Sequence, residues 1–362
     1  MPTPTPAPPP IVRVKGSHRA MGQQLGEALK SQILHSRETA RGLIEHPSSG
    51  LNLKWDGAII QAQKYLPYAQ ERYPQYVDEI AGIAEGSDVP FIDLFVLTTF
   101  EAVTSDALQL GKCTSIAVND DRTTNGHVLI AHNEDWTPED EQDVALVHAT
   151  PDEEPPFLAM MYGGYLPNIG FNACGIAQCC DSAHPSDSRT GLPRVILSRA
   201  VLGTRTIADA IRCMVSPRRA AGYNHLLAHE SGELYCVEVS ARRFAVLYAH
   251  EGIIVHTNHY LDVQLQAVEK NPDELLDTRV RRSRALNLLK LSVQHNLESL
   301  QAIQRDHVNL PNAICNHDQD NNRWILREKT ICALVMDLNT RAMHIAWGNP
   351  CQNPYHTFFL EP

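Results

Sequence analysis

The hydrophobic period of this chain changes abruptly at Cys113, from helical before it to strand-like after it. Upstream, Met21, Leu25, Leu29 and Ile33 recur at every fourth position, the spacing that lines one face of a helix over about 17–43. Further helical patterns follow at about 55–66, 74–83 and 90–102, with the Gly-Ser-Asp-Val-Pro stretch 86–90 as a break. Downstream come short β-type runs at 113–118, 127–131, 144–149, 157–162 and 169–179, then 226–228, 234–239, 243–249, 252–257, 331–337 and 342–347. Helical patterns interrupt them at 193–202, 206–214, 272–289 and 297–304. The strand pairs are joined by short turns, such as Asn125-Gly126, so the sheets should be mostly antiparallel. That order of elements is α+β rather than doubly wound α/β. Residues 1–10 read as a disordered proline-rich arm, 11–112 as a mainly helical segment and 113–362 as a β-rich core, all in one structural unit.

A hydrophobic content of 43% is enough for a sizeable core. The net charge is −11 and the basic residues are scattered, which argues against a nucleic-acid partner. No apolar run reaches the roughly 18 residues of a membrane span. The first ten residues lack the basic start and apolar run of a secretion signal. Nine cysteines is an odd number in a long chain, so a disulfide framework is not expected and a reducing cytoplasm is the default location. The acidic runs 139–143 and 152–154 read as solvated loops. Gly111-Lys112-Cys113-Thr114 fails as a phosphate loop, because Asp106 stands where a glycine is needed and Cys113 where a hydroxyl is needed. His225 and His229 sit in a strand pattern with no third ligand in view, so neither a metal nor another bound cofactor is expected.

Four segments stand out for chemistry: Cys113-Thr114-Ser115, His132-Asn133-Glu134-Asp135-Trp136, Gly170-Phe171-Asn172-Ala173-Cys174-Gly175 and Thr257-Asn258-His259. A thiol with an ordinary pKa of about 8.5 is a poor nucleophile until a base removes its proton. A cysteine at a chain terminus carries such a base, since an α-amino group has a pKa of about 7.7–8.0. Cutting before Cys113 would therefore create nucleophile and base together. The cut itself needs only attack of the Cys113 thiol on the Lys112 carbonyl, followed by hydrolysis of the thioester.

With their spacing, these segments resemble the acyl-CoA:6-aminopenicillanic acid acyltransferases, a family whose relatives include β-alanyl-dopamine hydrolases. The likeness extends over nearly the whole chain and includes Cys315-Asn316-His317 and Gly348-Asn349-Pro350-Cys351 near the end. It implies a four-layer αββα sandwich of the N-terminal-nucleophile hydrolase type, cut from a precursor between Lys112 and Cys113. The helical piece would stay bound to the core as a second subunit. The implied substrate is a small acyl amide, with an acyl-CoA as an optional co-substrate. The resemblance makes Cys113 the nucleophile, Asp135 its support and Asn258 the oxyanion donor, with Asn133 as a structural hydrogen-bonder.

Three departures stand out. Lys112 replaces the glycine usual before the nucleophile, and Glu328-Lys329 replaces a Ser-Arg pair, leaving Lys329 as the candidate cation. No serine lies near Ala221–Tyr223, which speaks against penicillin chemistry itself. Two alternatives stay open, an uncut Cys–His hydrolase and an inactive binding relative. Homo-oligomerisation, the acyl group and the choice between hydrolysis and transfer are not legible.

Overall fold

The β-type runs assemble into two sheets in the computed structural model, which describes residues 8–104, 111–318 and 327–361. In chain order the strands are β1 (Ile11–Gly16), β2 (Lys112–Val118), β3 (Leu129–Trp136), β4 (Val144–Pro151), β5 (Phe157–Tyr162), β6 (Ile169–Asn172), β7 (Ile176–Ser182), β8 (Tyr223–His229), β9 (Leu234–Val239), β10 (Phe244–Tyr248), β11 (Ile253–His256), β12 (Lys329–Asp337), β13 (Ala342–Trp347) and β14 (Tyr355–Phe359). The helices are α1 (His18–Ala28), α2 (Lys30–Glu45), α3 (Trp55–Gln63), α4 (Leu66–Arg72), α5 (Pro74–Ser87), α6 (Phe91–Thr98), α7 (Phe100–Thr104), α8 (Arg194–Leu202), α9 (Ile207–Met214), α10 (Val263–Gln266), α11 (Leu276–Leu289) and α12 (Leu297–Gln304). One sheet runs β1-β4-β5-β6-β7-β8-β9-β10 and the other β11-β2-β3-β12-β13-β14. Their inner faces meet where β2 and β3 lie against β7 and β8. Helices α8 and α9 cover the outside of the first sheet, and α11 and α12 the outside of the second. The fold is thus α+β with the expected αββα layering.

Alternation along the strands assigns each side chain to a layer. On β2, β3 and β12, Ala117, Ile130, Cys332 and Leu334 point into the core between the sheets. Ile116, Leu129, Ala131 and Val335 point the other way, onto Leu289, Leu300 and Ile303 of α11 and α12. Both faces are dry, so register is strongly specified.

The piece before Cys113 is built into this body. Its first strand, β1, was not legible as a strand and pairs in parallel with β4 at the edge of the eight-stranded sheet. Pro10, inside the expected arm, accepts the N–H of Leu146, while residues 1–7 lie outside the described residues. Helices α1 and α5 pack through Gly22 and Gly26 of one and Gly82 and Gly86 of the other. A Cβ on Gly82 would sit 2.1 Å from the Arg19 carbonyl oxygen. This contact keeps Gly86 helical where the sequence suggested a break, and α5 ends instead at left-handed Asp88. A buried ion cluster adds to the join. Arg199 of α8 bonds Glu79 of α5 at 2.9 Å and Glu154 at 3.2 Å, and His18 of α1 bonds both carboxylates.

Other boundaries also shift. The run 169–179 is two strands, because Gly175 (φ 76°) turns the chain between β6 and β7. The acidic run 139–143 is not simply solvated. Asp140 and Asp143 are buried, bonded to Trp136 at 2.8 Å and to His35 at 2.7 Å. Among the described residues no helix is long and apolar enough to cross a membrane.

Candidate active site

Antiparallel pairing sets Cys113 of β2 opposite Glu134 of β3, and Ser115 opposite His132. These four side chains share the face that looks toward the other sheet, whereas Thr114, Asn133 and Asp135 project toward α11 and α12. Asn133 and Asp135 do share a strand face, as expected, but it is opposite to that of the Cys113 thiol. Asn133 donates to the carbonyls of Gln304 (3.1 Å) and Ile314 (3.0 Å), a structural use. Asp135 accepts from Thr330 Oγ1 at 2.6 Å. Burial pushes its carboxyl well above the usual range, against the lowering effect of the nearby Arg281 charge.

Cys113 is held by its backbone on both sides. Its N–H donates to Asn258 Oδ1 at 2.7 Å, and its carbonyl accepts from Arg281 Nη1 at 2.6 Å. Arg281 also donates to Thr114 Oγ1 (3.0 Å), to Asn258 Oδ1 (2.9 Å) and to Asp277 (3.1 Å). Two donors on Asn258 Oδ1 turn its Nδ2 away, toward the Ser182 carbonyl at 3.1 Å. On the upstream side, Glu328 accepts the Gly111 N–H at 2.7 Å and sits 3.5 Å from Lys112 Nζ. Both residues flanking the Lys112–Cys113 bond are therefore anchored.

Arg281 is not legible as a site residue in the sequence, because it lies in an ordinary-looking helix, α11. Only the docking of α11 on the six-stranded sheet brings it to β2. Lys329, the cation suggested by sequence, bonds Glu141 at 2.6 Å, while its neighbour Thr330 reaches Asp135. His259, which a search for a Cys–His pair would choose, bonds Thr278 at 2.9 Å. Burial, then the charges of His256 and nearby arginines, depress it to about 3.

The thiol itself lies 3.8 Å from Glu134 Oε2. Burial first, then the carboxylates of Glu134, Asp181 and Asp135, raise its pKa well above that of a free thiol, so in the uncut chain it rests protonated. Behind it a line of buried polar groups continues. His132 Nε2 meets Glu134 Oε2 at 2.7 Å, and His132 Nδ1 meets Ser115 Oγ at 2.9 Å. Ser115 donates to Asp181 (2.8 Å), which His256 reaches at 3.2 Å before contacting Glu238 at 2.8 Å. Because the Ser115 hydroxyl spends its one proton on Asp181, His132 Nδ1 must be the donor to Ser115. His256, which burial alone would lower, is raised to about 9 by its hydrogen bonds to Asp181 and Glu238.

A small cavity lined by Leu97, Glu101, Trp136, Tyr162, Val195 and Tyr223 lies beside Trp136, the last residue of β3. Its walls mix aromatic and aliphatic side chains with the polar groups of Thr98, Glu101 and Asn168. His225 and His229 of β8 do not converge: His225 contacts Gln178 and His229 contacts Ser231.

Residues 122–352 match the family model described as acyl-coenzyme A:6-aminopenicillanic acid acyl-transferase. The chain belongs to that family. Its members are acyltransferases and amide hydrolases, enzymes of the C–N bond. The family match begins downstream of Cys113, so it does not itself cover the candidate nucleophile. The chain is 25% identical over 353 residues to the acyl-coenzyme A:6-aminopenicillanic-acid-acyltransferase 40 kDa form of Emericella nidulans, covering 96% of this chain and 95% of that one. It is 27% identical to the beta-alanyl-dopamine/carcinine hydrolase of Drosophila melanogaster, over 57% of each. Among solved structures, penicillin V acylase from Agrobacterium tumefaciens superposes with a TM-score of 0.46 at 14% identity, covering 65% of this chain and 83% of that one.

Proposed function

We propose that this family member is a cysteine amide hydrolase or acyltransferase, made as a precursor, that cuts itself between Lys112 and Cys113 and then works through a Cys113 thioester. The observation that carries this reading is the double clamp on Cys113, with Asn258 on its nitrogen and Arg281 on its carbonyl. In the first step the thiol gives its proton to Glu134 and adds to the Lys112 carbonyl carbon. Collapse breaks the C–N bond, the Cys113 nitrogen takes a proton, and a thioester remains. Water then opens the thioester, leaving a Lys112 carboxylate, a free Cys113 thiol and a new α-amine.

That amine inherits the Asn258 Oδ1 contact, which holds it beside its own thiol as general base. The substrate amide carbonyl is attacked in the same way, and its amine leaves with the proton. Asn258 Nδ2 turns from Ser182 to the developing oxyanion, and Asp135 with Arg281 keeps the β2 and β3 backbones in place. Water is the default acceptor, and an acyl-CoA is one donor to test for transfer to an amine. Residues 1–112 remain as a second subunit, held by β1, the glycine contact of α1 with α5, and Arg199. The nine cysteines are unpaired, which suits a reducing cytoplasm.

The test is intact-mass analysis of the purified protein alongside turnover of a panel of N-acyl amines. Active protein should consist of pieces of 112 and 250 residues. A second reading has one observation in its favour: His132, Glu134 and the Cys113 sulfur all lie within 4.8 Å of one another. An uncut chain with full activity that is lost in His132→Gln would establish that Cys–His reading and overturn self-cleavage.

A further inference from the structure

Away from Cys113, four side chains from three separate segments converge on one point. His307 follows α12, Cys315 and His317 precede β12, and Cys351 lies in the turn between β13 and β14. One ligating atom of each lies within 4.8 Å of all the others. Four of the edges are 3.6 Å between the two sulfurs, 3.6 and 3.3 Å from the sulfurs of Cys315 and Cys351 to His317 Nε2, and 3.0 Å between the two imidazole Nε2 atoms. A tetrahedral zinc ion with Zn–S of about 2.3 Å and Zn–N of about 2.0–2.1 Å has edges of about 3.8 Å (S–S), 3.6 Å (S–N) and 3.3 Å (N–N). The N–N edge is again the shortest, and each observed edge lies within a few tenths of an ångström of its ideal value.

Hydrogen bonding within the protein accounts poorly for this arrangement. His317 Nε2 faces three groups at once, and a ring nitrogen has either one proton or one lone pair to offer. The surroundings suit thiolates instead. Asn349 Nδ2 points its N–H at Cys315 Sγ at 3.5 Å and donates to the Asn316 carbonyl at 2.7 Å. N–H donors on ligand sulfur are the outer contacts that orient a thiolate toward a metal.

We infer that His307, Cys315, His317 and Cys351 form a closed Cys₂His₂ site for a zinc ion. Four protein ligands leave no position for water or substrate, so the site is structural rather than catalytic. Its place in the fold gives it a purpose. Asn316, between two ligands, donates its N–H to Thr330 Oγ1 at 3.0 Å, and Thr330 donates to Asp135 at 2.6 Å. Ile314, next to Cys315, accepts from Asn133. The ion therefore pins the segment that holds the end of β3 beside Cys113.

The decisive measurement is metal content of the untagged full chain, purified without chelator, by plasma mass spectrometry, with thiol alkylation mapped on the same sample. The expected result is one zinc per chain, with Cys315 and Cys351 protected from alkylation until the metal is stripped. Cobalt added to stripped protein should give the absorption bands of tetrahedral thiolate-bound Co²⁺. Cys351→Ser, at the surface, should lose stoichiometric zinc, and His307→Ala should behave alike. Asn349→Ala should weaken binding roughly 10–100-fold while keeping the ligands. A wild-type chain that neither carries zinc nor gives the cobalt spectrum would overturn the site. So would a Cys315–Cys351 disulfide in protein kept under reducing conditions, or full zinc in the His307→Ala, Cys351→Ser double variant. These readouts do not depend on activity, so the site stands or falls apart from the proposed chemistry.

Discussion

Replacing Arg281 by lysine tests the backbone clamp most directly. Arg281 is buried to 1% exposure and spreads its planar fork over the Cys113 carbonyl, Thr114, Asn258 and Asp277. Lysine keeps the charge that balances Asp277 but has no fork, so it cannot reach the Cys113 carbonyl and Asn258 Oδ1 together. A hydrogen bond from a charged donor contributes about 1.5–3 kcal/mol. Losing the equivalent of about 3 kcal/mol in the transition state for the cut would slow it roughly a hundredfold. Arg281→Met would do more, because it strands the Asp277 carboxylate without its cation, at a cost of about 3–5 kcal/mol of stability. The assay follows the cut fraction with time by intact mass, with thermal melts on the same samples. The expected pattern is a folded, slowly cut lysine variant and a destabilised methionine variant. If Arg281→Lys folds normally and cuts at the wild-type rate, the clamp does not position the scissile bond and the argument built on it fails.

Three further outcomes are expected. Cys113→Ala should leave one uncut chain with no turnover, and an active Cys113→Ala protein would remove the thioester. Asn258→Ala should lower kcat by roughly a hundredfold or more with little loss of folding, while His259→Ala should do much less; the opposite ranking in steady-state kinetics would move the chemistry to His259. The third concerns alkaline stability. His18 and His256 are raised to about 9 by carboxylate partners that outweigh burial. A raised folded-state pKa contributes stability that is complete below the unfolded value of about 6.5 and is lost as pH rises through about 9. Glu154 works at the other end: burial would raise it, yet the Arg199 charge and its hydrogen bonds hold it at about 2, so its contribution is lost as pH falls through that value. Melting temperatures should therefore drop from about pH 6.5 to about pH 9, and Glu79→Gln should blunt that drop; a flat profile there would show that neither histidine is charged in the fold.

The sequence by itself determined the α+β order of elements and the break at Cys113, because these follow from local period and turn chemistry, while the sandwich layering and the site residues were what the family resemblance implied. Alternation along β2 and β3 even put Asn133 and Asp135 on one face. It did not reveal β1, whose short Ile11–Gly16 run earns its place only by pairing with β4, more than a hundred residues away. It also could not tell that Gly86 stays helical, since the reason is the close approach of another helix. The same limit separates Arg281 from Lys329. Both are basic residues in regular elements, and which one reaches Cys113 depends on how α11 docks onto the sheet. Glu134, His132, Asp181 and His256 are scattered over β3, β7 and β11, and His307, Cys315, His317 and Cys351 over three connections. Such clusters are long-range contacts, made by the stacking of layers and invisible to any window of neighbouring residues. Tertiary structure decided them, since burial beside one particular partner is what gives each group its charge and its use.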